Sequence, residues 1–303
     1  MPAKKDWRPF ALAWMTLALI ALACNLPEGP GPTPAPGFAP SVSPSATSAP
    51  RPLPMASPES EPTASPPASP TADPFANPPS TIDHLIARCP TAEEIAAMDA
   101  LLTLHFESDP SAGTLVCSAA KGSADLTLLQ QRAYQALLAM RYLSFDAALP
   151  WTDQPLLDWL AGAIRGIRYR HDIEISYCCD PQGIINIQTQ NLAALSTDRW
   201  IDAQSGTGLH GLVVLIVHEA RHNQGFAHTC NTKDQTLAEM GAWGVQYWLQ
   251  WWLAFHSDPD FLRPLAGDAD FYRLSALSQA LTVRATRFCA EPTLTPGPTP
   301  TLP

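Results

Sequence analysis

An α+β fold, mostly helical with a small sheet, is what the residue pattern in the middle of this chain predicts. Three observations lead there. Residues 81–290 hold only seven of the chain's 32 prolines, which leaves about 210 residues able to build one sizeable core. Within that span, several long stretches repeat apolar residues every three to four positions, the period of a helix buried on one face. Two short stretches alternate polar and apolar at period two, the period of a strand. No internal repeat interrupts this order.

The elements follow in sequence. Thr91-Ala92-Glu93-Glu94 has the form of a capping box, with Thr at the cap and Glu three residues later, and Ile95–Phe106 continues it as a helix. Gly113–Ser118 reads as a short strand. Ser123–Leu143 reads as a long helix, with Leu126, Leu129, Ala133, Leu137 and Met140 on one stripe. Pro155–Arg168 reads as another, with proline in its first turn. Asp172–Cys178 and Ile184–Gln188 alternate at period two around the turn residues Asp180-Pro-Gln-Gly183, which predicts a hairpin. Gly211–His222 reads as a buried helix, Asp234–His256 as a long aromatic-rich one, and Phe271–Phe288 as the last.

The chemistry is concentrated in His218-Glu219-Ala220-Arg221-His222. On a helix, positions i and i+4 share a face, so both imidazoles reach one metal ion. Glu219 is turned about 100° from His218, close enough to act on a coordinated water without being a ligand. Zinc lowers the pKa of such a water towards about 7, and a carboxylate takes the proton and passes it on. A catalytic zinc has three protein ligands and one open position, so a third ligand is required. The continuation Asn223-Gln-Gly225-Phe-Ala-His228 supplies one. Gly225 permits the positive φ that turns the chain out of the helix, and His228 can return to the metal.

These eleven residues, HExxHxxGxxH, resemble the zinc motif of metzincin metallopeptidases at all five defining positions. The resemblance implies a zincin-like domain, one zinc ion per chain, and His218, His222 and His228 as ligands. It implies Glu219 as the catalytic base and a peptide or protein as substrate. Metzincins also carry a methionine-containing turn beneath the metal, but Met240 falls in the middle of the expected 234–256 helix and no such turn is assigned. The gluzincin pattern competes, because there the third ligand is a Glu on a following helix. Glu239 occupies such a position, and Asp234, at the start of the same helix, is a further candidate. Whichever of these does not ligate remains available to orient a ligand. In zincins an edge strand upstream of the motif binds extended peptide, and Asn186 and Gln188 mark the candidate strand.

The flanks read as an address and a tether. Lys4, Lys5 and Arg8 precede an apolar run, Phe10–Ala23, of fourteen residues. That is shorter than the roughly 20 a bilayer span needs, and it has the length of a signal-peptide core. Its end, Ile20-Ala-Leu-Ala-Cys24, resembles a bacterial lipobox, with Ala21 where Leu is usual. Residues 1–23 are thus read as a signal peptide, and Cys24 as the acylated residue that anchors an exported protein to the membrane. An ordinary signal peptide or an uncleaved anchor would also export the chain. Residues 24–80 are a linker of Pro, Ser, Thr, Ala and Gly; Pro27–Pro79 alone holds 18 prolines. Such a segment cannot bury enough apolar surface to offset ordering entropy and is expected to be disordered. Residues 291–303 repeat that composition.

Setting Cys24 aside, six of the seven cysteines remain, all inside 81–290. An even number in an exported domain predicts disulfides. Cys89 and Cys289 bracket the domain and are candidates to staple its ends. Adjacent Cys178 and Cys179 are expected to reach different partners. With 18 Lys and Arg against 28 Asp and Glu, nucleic acid is not a partner.

Remaining residues take structural readings. Arg221 is expected in an ion pair with Asp234 or Glu239. His210 and His256 are expected to be structural. The run Trp243, Tyr247, Trp248, Trp251, Trp252 and Phe255 covers more than one helix face, which predicts core packing. Two functions from different classes follow. One is a surface-tethered zinc metallopeptidase. The other is a non-catalytic envelope lipoprotein whose zinc site holds the fold or a partner.

Overall fold

In the computed structural model, residues 73–290 and Leu302 are described. The expected signal peptide, Cys24 and most of the expected linker and tail lie outside the described residues. Residues 73–80 carry Phe75, which packs edge-on against Tyr142 with the Arg141 guanidinium over its ring.

Helices dominate and a small sheet accompanies them, as the α+β expectation has it. Helix α1 (Ile82–Ala87) starts at Thr81, whose side chain accepts from the His84 backbone N–H. The expected capping box opens α2 (Ala92–Leu101): Thr91 and Glu94 each accept the other's backbone N–H. This helix stops short of Phe106, because Thr103–Phe106 is strand β1. Strand β2 (Leu115–Cys117) pairs antiparallel with β3 (Leu126–Thr127).

The long helix expected from Ser123 begins instead at Leu128. Residues Leu126–Thr127 are drawn into β3, and Thr127 with Gln130 forms a second capping box. This helix, α3 (Leu128–Tyr142), is buried almost all round. Its polar residues serve α1, whose last carbonyls have no partner within their own helix. Gln135 Nε2 donates to the Ile86 and Arg88 carbonyls, both at 2.8 Å.

Helix α4 (Leu156–Ala163) ends five residues before the expected Arg168. The residues beyond it form β4 (Gly166–Arg170), the middle strand of a parallel sheet ordered β1-β4-β5, where β5 is Ile184–Gln188. Gly166 is required there, since a Cβ would run into the Thr103 carbonyl oxygen of β1. The expected hairpin is not formed. β5 pairs parallel with β4, and Asp172–Cys178 adds only one antiparallel bridge, Tyr177 to Asn186. A strand in register with β4 leaves its other edge open, and the returning segment covers that edge. Tyr177 and Asn186 exchange backbone bonds at 2.9 Å, and Asp180 N donates to the Ile184 carbonyl at 3.2 Å. Ile167, Tyr169, Ile185 and Ile187, all fully buried, make the apolar face of the sheet. Arg168, on the other face, pairs with Glu107 and Asp180.

Helix α5 (Leu209–Asn223) runs through the core and packs against α3, α4 and β5. It also packs against α6 (Ala242–Phe255), which in turn packs on α7 (Phe271–Thr286). The helix expected from Asp234 therefore starts eight residues late. Leu237–Glu239 is a single 3₁₀ turn and Met240 lies in the left-handed region at φ 51°. Asp234 is turned inward, where its Oδ2 accepts the backbone N–H groups of Trp243 and Gly244 at 3.0 and 3.2 Å. It thereby satisfies the first turn of α6 from outside the helix. No described helix is long and apolar enough to cross a membrane.

The cysteines pair as Cys89–Cys117, Cys178–Cys179 and Cys230–Cys289. The expected Cys89–Cys289 staple is thus corrected, because each of those residues has a nearer partner. The expectation that Cys178 and Cys179 reach different partners is also overturned. The other four cysteines are consumed by one another, and the adjacent two are joined across a cis peptide bond.

Candidate metal centre

The last two turns of α5 carry His218, Glu219 and His222, and the helix ends one residue later at Asn223. Gly225, at φ 90°, then turns the chain back, as its place in the motif predicts. His228 returns to the helix face. One ligand atom from each of His218, His222 and His228 lies within 4.8 Å of the others.

Each imidazole is oriented from behind. His218 Nδ1 lies 3.0 Å from Gln246 Oε1 on α6. His222 Nδ1 lies 2.7 Å from the Phe226 carbonyl oxygen. His228 Nδ1 lies 2.9 Å from Asp234 Oδ1. With Nδ1 engaged in all three rings, Nε2 is the nitrogen each has for a metal, and outer partners of this kind set tautomer and ring direction. His218 Nε2 is buried and meets no partner in the protein. Burial, followed by neighbouring His222 and His228, holds His218 well below the ordinary imidazole range.

The three candidates for third ligand are now separated in space. His228 joins the cluster. Asp234 stands behind it and holds its ring. Glu239 sits on the 3₁₀ turn and not on a helix, and there its carboxylate accepts from Thr229 Oγ1 at 2.5 Å and from the Gln235 N–H at 3.2 Å. Its role is to tie the returning loop to the start of α6.

Glu219 is 2% exposed, and burial pushes its carboxyl up to about 8 against the opposing Cys178 backbone amide. That amide belongs to the segment covering β5. The expected edge positions are covered: Asn186 bonds to Tyr177 and its side chain is fully buried, and the Gln188 N–H donates to Ser176 Oγ.

Arg221 makes no pair with Asp234 or Glu239. Its Nε donates to the Met240 carbonyl and its Nη1 to Gln224 Oε1, both at 2.8 Å, and its guanidinium lies 3.4 Å from the Phe226 ring centroid. It thus braces both the loop that orients His222 and the turn that starts α6. Met240 stands on that turn, outside any helix. His210 is fully buried against Trp200, and His256 bonds to Asp146. Neither is part of the histidine cluster.

Two residues of this centre have no role in the sequence reading. Gln246 and Gln250 are the two amide side chains in α6, and an amide in an aromatic-rich buried helix is a signal for a bonded partner. Trp243, expected only as core, packs directly on the histidines. No family model, curated protein or solved structure matches the chain.

Proposed function

We propose that this protein is a zinc-dependent metallopeptidase, exported and tethered to the membrane through Cys24. The observation that carries the reading is the convergence of three outwardly anchored histidines beside a buried Glu219. The donors suit the metal: three imidazole nitrogens, one of them buried without a partner, are a set that zinc takes when one position is left open.

His218, His222 and His228 would hold the ion. A bound zinc ion supplies Lewis acidity, polarising a carbonyl and acidifying an attacking water. The protein's own part is proton management. Glu219, next to a ligand and out of bulk water, takes a proton on a carboxylate oxygen and delivers it to the leaving amine. Gln246, the Phe226 carbonyl and Asp234 keep the imidazoles aimed while this occurs.

Glu219→Gln tests the reading. The variant and the wild type should each bind about one zinc per chain. Chelator-sensitive cleavage, found first in a peptide-library screen, should fall by roughly 10²–10⁴-fold. His218→Ala or His222→Ala should abolish zinc binding. Full chelator-sensitive activity in Glu219→Gln would sink the mechanism. The competing reading, a metal centre that only holds the fold or a partner, draws on the near-complete burial of Glu219. It expects the same variant to change neither zinc content nor partner capture, and no chelator-sensitive cleavage by wild type.

A further inference from the structure

We propose that Trp243 is a positioning residue for the metal centre, the wall against which the His218 and His228 rings are set. The inference rests on the metal reading above. Trp243 is the second residue of α6 and is 4% exposed, so it is not a contact for substrate. Its ring centroid lies 4.4 Å from that of His218 at 68°, an edge-to-face contact. It lies 5.7 Å from that of His228 at 14°, nearly parallel.

Two hydrogen bonds and one cation–π contact fix Trp243 to the same structure it supports. Its Nε1 donates to the Thr232 carbonyl at 2.9 Å, inside the loop that brings His228 back. Its backbone N–H donates to Asp234 Oδ2 at 3.0 Å, while the other oxygen of that carboxylate holds His228. The Arg287 guanidinium lies 4.3 Å over the indole and adds a cation–π contact.

The physical need is specific. A single hydrogen bond at Nδ1 fixes one point of an imidazole and leaves the ring free to swing about that bond. His218 belongs to a helix and has its backbone to limit it. His228 belongs to an irregular loop, where its one hydrogen bond is to Asp234 and its ring meets His222 edge-on at 4.6 Å. A flat, anchored aromatic face removes the remaining freedom, and aromatic pairs at these separations are attractive. Because Trp243 also touches His218, one side chain sets the angle between the helical ligand and the loop ligand. The species that gains is a divalent cation demanding fixed nitrogen geometry.

The test uses the full chain with two substitutions that keep an apolar side chain. Trp243→Phe retains a ring, and Trp243→Met retains a large apolar volume without one. Zinc affinity is read by competition with a chromophoric chelator, and ligand geometry by the visible absorption bands of the cobalt-loaded protein. Trp243→Met should lose roughly 10–100-fold in zinc affinity and change the cobalt bands. Trp243→Phe should stay close to wild type in both. Equal behaviour of the two variants, whether unchanged or impaired together, overturns the proposal. If Trp243→Met does not fold, Arg287→Gln carries the test: weakened zinc binding with altered cobalt bands supports it, and wild-type values overturn it. A wild-type protein that binds neither zinc nor cobalt ends the metal reading and this inference with it. A wild type that binds, with variants that match it, ends this inference alone.

Discussion

His210 carries two buried ring nitrogens that meet no partner in the protein, and burial pushes its pKa down to about 4. A histidine held neutral in the fold takes up a proton on unfolding at any pH between that value and the ordinary 6.5. The unfolded state then binds more protons, so stability rises with pH across this window. It is fully present above 6.5 and is lost progressively as pH falls towards 4. The span is worth about 3 kcal/mol at most. His210→Leu should flatten this dependence, which urea unfolding of metal-free protein at stepped pH would measure. A variant with the wild-type slope between pH 6.5 and 4 rules out His210 as its source. Arg221 shows why single residues mislead when read along the chain. Its nearest acids in the motif region suggest an ion pair, but its bonds go to a carbonyl, an amide and a ring. Which acceptor a guanidinium finds depends on which loops fold back over it.

Among the elements, the loop 225–236 bears the most consequence for the least regular structure. Its internal stiffening is the Gly225 turn, the Cys230–Lys233 bridge, the His228–Asp234 contact and the bond from the Gln235 N–H to Thr229 Oγ1. What holds it lies far along the chain. Cys230 is bonded to Cys289, Asp234 N donates to the Arg287 carbonyl, and the N–H groups of Cys289 and Ala290 donate to the Asp234 and Gln235 carbonyls. The end of α7 thus locates both His228 and the Asp234 that orients it. Replacing Cys230 and Cys289 by Ser should cost about 2–5 kcal/mol of stability. It should also weaken zinc binding by roughly 10–100-fold. The Cys89→Ser/Cys117→Ser protein should lose stability and keep its zinc affinity. Denaturant unfolding beside chelator competition distinguishes them, and equal zinc affinity in both pairs would refute the tether. The misplaced boundaries have one cause. Helical periodicity extends beyond the true helix boundary at 123–127, 164–168 and 234–241. In each place a tertiary partner claimed the backbone instead: β2, the parallel sheet, and the Asp234 turn.

At the scale of the whole molecule, residues 81–290 are flanked in sequence by two low-complexity stretches rich in Pro and Thr. The proposed address is written in the first flank. Cys24 should be acylated, and the protein should partition with membranes through that lipid. Cys24→Ser should release it or leave an uncleaved precursor. Mass spectrometry of the mature N-terminus decides, and an unmodified start within 25–80 would remove the lipoprotein reading.

What the sequence determined by itself was local. The cap at Thr91, the helix through His218 and His222 and the turn at Gly225 each depend on residues a few positions apart, so spacing was enough to read them. The grouping of His228 with the first two histidines was legible as one of three options, because eleven residues span it. Only the tertiary structure decided against Asp234 and Glu239 as members of the cluster. It also decided the parallel sheet, the three disulfides, and Gln246 and Trp243 as the residues behind the ligands. Those depend on helices and loops tens of residues apart meeting around one core. Period and spacing carry no information about which distant side chain will fill the space behind a ring.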